Sequence, residues 1–260
     1  MLWRFWTMAR AAYFGLYDPG TKLAFFVNVA IRPGFTLLTF GYLVSTVASG
    51  SALRAAVMGG AVLTLNWPTL GGALQTVGSE LGNGTLGMTI ASPVSRARLL
   101  ASRGLIHLPN GLLAFTSAAI IGSLVFRLDL HGVNWVGVAV SVLLIDVSLI
   151  ALGLLLGIGS LVLREVWALL GVASVTLYIL SGAIVPLDNL HPAAQAAASV
   201  IPTRWGVEAL QQSLTGSSTT RLMGYWGGEV IVGIAVFGLA VGALKAYEHR
   251  AREKGNVDLV

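Results

Sequence analysis

The chain has 260 residues, 55% of them hydrophobic and only 10% charged, with a mean hydropathy of +0.80. A soluble domain of that length needs far more charged surface, so this composition excludes one. The net charge of +5 and pI near 9.9 would suit nucleic acid, but the basic residues sit at the ends of apolar blocks, a topology signal and not a phosphate-binding stripe. Cysteine is absent, which removes disulfide frameworks and thiolate metal sites.

Residues Met1 to Tyr17 read as an interfacial amphipathic helix ended by Asp18-Pro19-Gly20. Leu2, Trp3, Phe5, Trp6 and Met8 alternate there with Arg4 and Arg10, and two arginines are expensive in mid-bilayer. No small-residue cleavage site follows a clean apolar core, so a cleavable signal peptide is not expected. Six apolar blocks then match the roughly 20 residues that a hydrocarbon core requires. They are Leu23–Val47, Ala55–Val77, Leu105–Phe126, Trp135–Leu163, Trp167–Val185 and Gly224–Ala246, followed by a tail over 247–260. The expected fold is an all-α membrane protein with six transmembrane helices in a single domain.

Basic residues set the orientation. With the N-terminus inside, Arg4, Arg10, Lys22, Arg96, Arg98, Arg103, Arg164, Lys245, Arg250, Arg252 and Lys254 face the cytosol, and only Arg54, Arg127, Arg204 and Arg221 face out. That bias predicts cytosolic termini and a multi-pass protein of the plasma or inner membrane.

Two connections are long, which marks them as functional. One is the cytosolic stretch over 78–103. The other is the external stretch over 186–223, where Pro186, Pro192 and Pro202 punctuate two short helical runs, Ala193 to Val200 and Trp205 to Leu214. Their apolar content predicts that they dip back into the outer leaflet, shielded by protein. Gly153-x-x-x-Gly157 and Gly238-x-x-x-Gly242 predict close helix approach, within the chain or across a dimer.

The chain lacks a Gly-x-x-x-x-Gly-Lys-Ser/Thr phosphate loop and a His-Glu-x-x-His motif, and His107, His131, His191 and His249 are scattered. Neither ATP hydrolysis nor a metal site is expected of it. Two ionisable residues stand out within spans, Asp146 in the fourth and Arg32, beside Pro33, in the first. A charge at such depth costs about 3 kcal/mol, so each should face protein or a watery cavity. They suit a polar translocation path or proton relay, or else structural contacts with Asn28, Asn66 or Ser141, and a direct Arg32–Asp146 bridge is open.

The cytosolic stretch reads Glu80-Leu-Gly-Asn-Gly-Thr-Leu-Gly-Met-Thr-Ile-Ala-Ser-Pro-Val-Ser-Arg96. It closely resembles the loop between the second and third spans of the type-2 ABC export permeases, with Glu80, Gly84, Thr85, Ser92, Pro93, Val94, Ser95 and Arg96 fitting that pattern. The Ser181-Gly-Ala-Ile-Val-Pro186 segment and the Pro202-to-Leu210 run ending in Glu208-Ala-Leu resemble the family's external motifs. Thr85 can cap a short helix that Pro93 stops.

The resemblance implies a coupling helix near Leu86–Ala91, presenting Leu86 and Ile90, that docks on a separate ATP-binding cassette ATPase. ATP and Mg would bind to that partner, with no cofactor held by this chain. It further implies a second permease subunit, identical or a paralogue, and a pathway lined by the first, second and fifth spans. Pathway and gate candidates are Arg32, Asn66, Asp146, Pro186, Pro202 and Glu208. Arg96, Arg98 and Arg103 would meet ATPase carboxylates or lipid phosphate. The implied cargo is an amphipathic small molecule such as a drug or antibiotic, or a lipid. Rival readings are an ion-coupled carrier and an intramembrane enzyme using Asp146 with Glu80 or His107. Arg32 and Asp146 depart from the family pattern.

Overall fold

A computed structural model describes residues 26–82, 95–163, 165–184, 187 and 190–253. Ordered backbone among them is helical, without a strand. The helices are α1 (Arg32–Ser45), α2 (Gly50–Leu63), α3 (Gly72–Gly82), α4 (Arg96–Gly104), α5 (Leu108–Val125), α6 (Trp135–Leu163), α7 (Val166–Leu180), α8 (Pro192–Ala198), α9 (Arg204–Leu214) and α10 (Thr219–Glu253). Three stretches are long and apolar enough to cross a membrane by length and composition: Arg96–Val125, Trp135–Leu163 and Thr219–Arg250.

Proline interrupts the first two blocks. Pro33 lies at the start of α1 and has no N–H to give, and the turn before it, Val27–Ile31, is widened to a π-helix, with the Arg32 N–H reaching back to the Val27 carbonyl. Pro68 acts likewise in the second block. Between α2 and α3 the chain tightens into a 3-10 turn at Thr64–Asn66 and then widens into a π turn at Trp67–Gly71. The block expected as one helix over Ala55–Val77 is therefore α2, two irregular turns and α3, because a mid-helix proline removes one hydrogen bond and crowds the preceding turn.

The centre is α6, which packs against α10, α3 and α9. Ile145 and Leu149 on α6 are fully buried in one core with Leu70 and Leu74 of the second block, and Leu154 is fully buried in a second cluster with Ala73 and Val77. Glycine permits this approach. A Cβ on Gly153 would lie 2.6 Å from the Leu70 carbonyl oxygen, and one on Gly157 would lie 2.8 Å from that of Leu74. The first of the two glycine pairs thus serves contact within the chain. Around Gly238 and Gly242 of α10, nothing lies within 4 Å of the equivalent position.

Several boundaries differ from the sequence expectation. The third block begins earlier, since α4, a 3-10 turn at Leu105–His107 and α5 run together, with Pro109 near the start of α5 tightening the turn before it. Helix α3 continues through Gly82 and α4 starts at Arg96, so both ends of the expected cytosolic loop are helical. The last helix extends on both sides of Gly224–Ala246, reaching Glu253. The expected interfacial helix over Met1 to Tyr17, the coupling residues Gly84, Thr85, Leu86, Ile90, Ser92 and Pro93, and the gate candidate Pro186 lie outside the described residues. Glu80 falls within α3.

Candidate transport site

The irregular turns around Pro68 hold two polar constellations on opposite sides of the chain. Thr69 faces inward and is fully buried, as is Asp146 on α6, and the Thr69 hydroxyl donates to Asp146 Oδ1 at 2.6 Å. Gly111 on α5 lies against both, and a Cβ there would overlap the Asp146 carboxylate and the Thr69 hydroxyl. Asp146 Oδ2 has no hydrogen-bond partner among the described residues. Further along the same seam, the fully buried His107 meets the Thr76 hydroxyl through Nε2 at 2.7 Å, and Gly72 leaves room for its ring. This seam is enclosed by α3, α5 and α6, so it has the form of a structural polar knot.

Trp67 points the other way. Its indole is 40% exposed and stacks on Trp167 of α7, with ring centroids 5.6 Å apart and planes 18° from parallel. The Arg32 guanidinium lies over the Trp67 ring, 4.1 Å from its centroid. Such a stack is an electrostatic attraction to the ring face, stronger where water is scarce. Tyr178, further along α7, lies beside Asn66 and within the field of Arg32, and packs edge-on against Phe40 of α1. The exposed platform therefore draws on α1, the Pro68 turn and α7, which carry the first, second and fifth apolar blocks.

Arg32 and Asp146 form no ion pair, since each is engaged on its own side of the chain. Asn66 joins the platform side, where it is buried within hydrogen-bonding reach of the Tyr178 hydroxyl. Ser141, one of the residues considered as a partner for the buried charges, instead accepts a bond from the Trp226 indole N–H at 2.9 Å. An apolar groove of about 650 Å³ between α2, α5 and α6, bordered by Met58, Phe115 and Trp135, has no charged lining residue.

At the other gate candidates, Pro202 is buried in the turn before α9, and Glu208 pairs with Arg204 one helical turn earlier at 3.0 Å. Helix α9 starts unusually: Thr203 adopts a left-handed φ of 87° and its side chain provides no cap. The cap comes from another helix. Glu229 of α10, fully buried, accepts from the backbone N–H groups of Thr203 and Gly206, both at 2.9 Å. A carboxylate there satisfies otherwise orphaned donors and meets the positive end of the helix dipole. Gln211 of α9 donates to the Gly182 carbonyl at 3.0 Å, tying the same helix to the end of α7.

Sequence reasoning missed Glu229, Trp67 and Trp167. The first had a signal, because a lone carboxylate inside the apolar block Gly224–Ala246 must find a partner. At the other end of α10, Glu248 pairs with Arg96 of α4 at 2.5 Å, joining the start of the third block to the end of the last. Of the predicted site residues, then, the structure brings Arg32 and Asn66 together around Trp67 and leaves Asp146, Arg96, Pro202 and Glu208 in separate settings.

A family model described as ABC-2 type transporter matches residues 21–215, a stretch that holds both constellations and ends before α10. No curated protein matches the chain.

Proposed function

The chain belongs to the ABC-2 type transporter family, and from that premise we propose that it is the membrane-spanning subunit of an ATP-driven exporter moving an amphipathic small molecule, a drug or antibiotic, or a lipid out of the cell. The observation that carries the proposal is the family match over residues 21–215, which includes the Glu80-to-Arg96 segment. In this reading six helices cross the plasma or inner membrane with both termini in the cytosol, and α8 and α9 stand at the external mouth. The chain hydrolyses nothing. A separate ATP-binding cassette subunit binds ATP and Mg, and its closure pushes on the coupling helix near Leu86–Ala91.

Rigid connection is what a pushed segment needs. Helix α3 leads directly from the cytosolic segment to the Pro68 turn, and α4 is tied to α10 through Arg96–Glu248. A displacement of the segment would thus reach the turn that carries Trp67. Two permease subunits, identical or paralogous, would face each other across the first, second and fifth spans, where the exposed platform lies.

Co-purification tests the proposal. Tagged wild-type chain is expected to bring down an ATP-binding cassette subunit encoded beside it, and replacing Leu86 and Ile90 with Asp is expected to abolish that capture while leaving the permease monodisperse. Absence of any ATPase in the wild-type eluate, or capture untouched by the double substitution, would refute it. An ion-coupled carrier would survive that outcome, and the buried carboxylates it could use among the described residues, Asp146 and Glu229, are engaged by the Thr69 hydroxyl and by the backbone N–H groups of Thr203 and Gly206.

A further inference from the structure

Arg32 is an arginine inside an apolar block, exposed, and engaged among the described residues with an aromatic face and not with a carboxylate. Stacking uses only the flat surface of a guanidinium. Its edge carries five N–H donors in a fork that matches a carboxylate or phosphate, and those stay available when the plane lies on an indole. The ring under Arg32, Trp67, is stacked in turn on Trp167, and both rings are about half exposed. A cation at such depth favours an anionic partner, and two stacked indoles left exposed are an apolar surface suited to a flat or chain-like one.

We infer that the Arg32–Trp67–Trp167 platform binds an anionic amphiphile as cargo, with its acidic headgroup on the Arg32 edge and its apolar body along the two indoles. This deepens the transport reading above and rests on it for the word cargo. In the proposed orientation Arg32 stands about 14 Å from the cytosolic end of its span at ~1.5 Å per residue, a depth that a headgroup reaches only by leaving the plane of its neighbours. The π turn Trp67–Gly71 carries Trp67 itself and is the turn that a displaced coupling helix would reach through α3. The acidic group has two sources, a transported molecule or a resident anionic bilayer lipid, and the chemistry that Arg32 recognises is the same for both.

Dibromostearate separates them, because bromine quenches indole fluorescence on contact. The full chain in phosphatidylcholine nanodiscs is expected to show saturable quenching by dibromostearate, and W167F is expected to lose the larger part of it. R32Q should weaken binding at least about tenfold, and R32K, which keeps the charge but loses both the fork and the stack, should bind more weakly than wild type and more tightly than R32Q. The methyl ester of the probe should bind as weakly to wild type as the acid does to R32Q. Equal binding of acid and ester, or R32Q quenching indistinguishable from wild type, would overturn the site. Loss of probe binding when the discs contain phosphatidylglycerol would assign the platform to bilayer lipid and overturn its role with cargo. The assay needs no ATPase. Failed quenching with intact ATPase capture by the wild-type chain would therefore sink this inference alone, and failed capture with intact quenching would sink the transport reading alone.

Discussion

Helices α6 and α10 are alike in sequence and opposite in situation. Both are long and apolar, with mean hydropathies of 2.6 and 2.1 over their best windows, and both carry a Gly-x-x-x-Gly pair. Yet 61% of the α6 window is buried against 17% of that in α10. The difference lies in what meets the glycines: the Leu70 and Leu74 carbonyls press on Gly153 and Gly157, whereas Gly238 and Gly242 face open space. Small residues permit close approach, but whether it happens depends on a partner of complementary shape. Helix α10 instead packs on α6 through residues such as Ala240 and Leu244 and is fastened by polar contacts, Glu229 to the start of α9 and Glu248 to Arg96.

The largest effect should come from filling the α6 glycines. G153L or G157L drives a side chain into backbone that cannot yield, and overpacking of that kind costs about 3 kcal/mol or more. Loss of the monodisperse peak in detergent is expected, while G238L and G242L should elute as wild type. Comparable damage from both pairs would erase the contrast between the helices.

Next is the upper fastening of α10. E229A strands the Thr203 and Gly206 N–H groups in a buried place and is expected to destabilise the protein by about 2–3 kcal/mol. A lowered midpoint in a detergent thermal melt would check it, together with faster proteolysis near α9. Smaller still is the polar knot under α6. D146A leaves the buried Thr69 hydroxyl without its acceptor, for about 1–3 kcal/mol, whereas D146N keeps an acceptor oxygen and should lose less than about 1 kcal/mol. Unchanged ATP-dependent transport by D146N across pH would mark Asp146 as structural, and abolished transport with an intact fold would restore the relay.

Much of this architecture is legible in the residues, and what is not has a physical cause. Hydropathy finds the blocks that become α6 and α10, and the proline punctuation of the external stretch brackets the helices at Pro192–Ala198 and Arg204–Leu214. It does not reveal rotation about the helix axis. Arg32 and Asp146 are conspicuous as charges within apolar blocks, but only the widened turn at Pro68 decides that Thr69 goes to Asp146 while Trp67 goes to Arg32. Pro68 is visible in the sequence, and a proline at mid-span is reason to expect such a break. Trp167 reads as a membrane-boundary aromatic, and its stacking partner lies a hundred residues earlier in the chain. The cap that Glu229 supplies crosses between helices, so no local motif announces it.

The central claim is that a separate motor drives this chain, and reconstitution tests it most directly. Inside-out vesicles carrying the chain together with the ATP-binding cassette subunit captured with it should accumulate a fluorescent fatty acid only when ATP is supplied, and vesicles with the chain alone should accumulate none. Uptake by the chain alone without nucleotide would contradict the account.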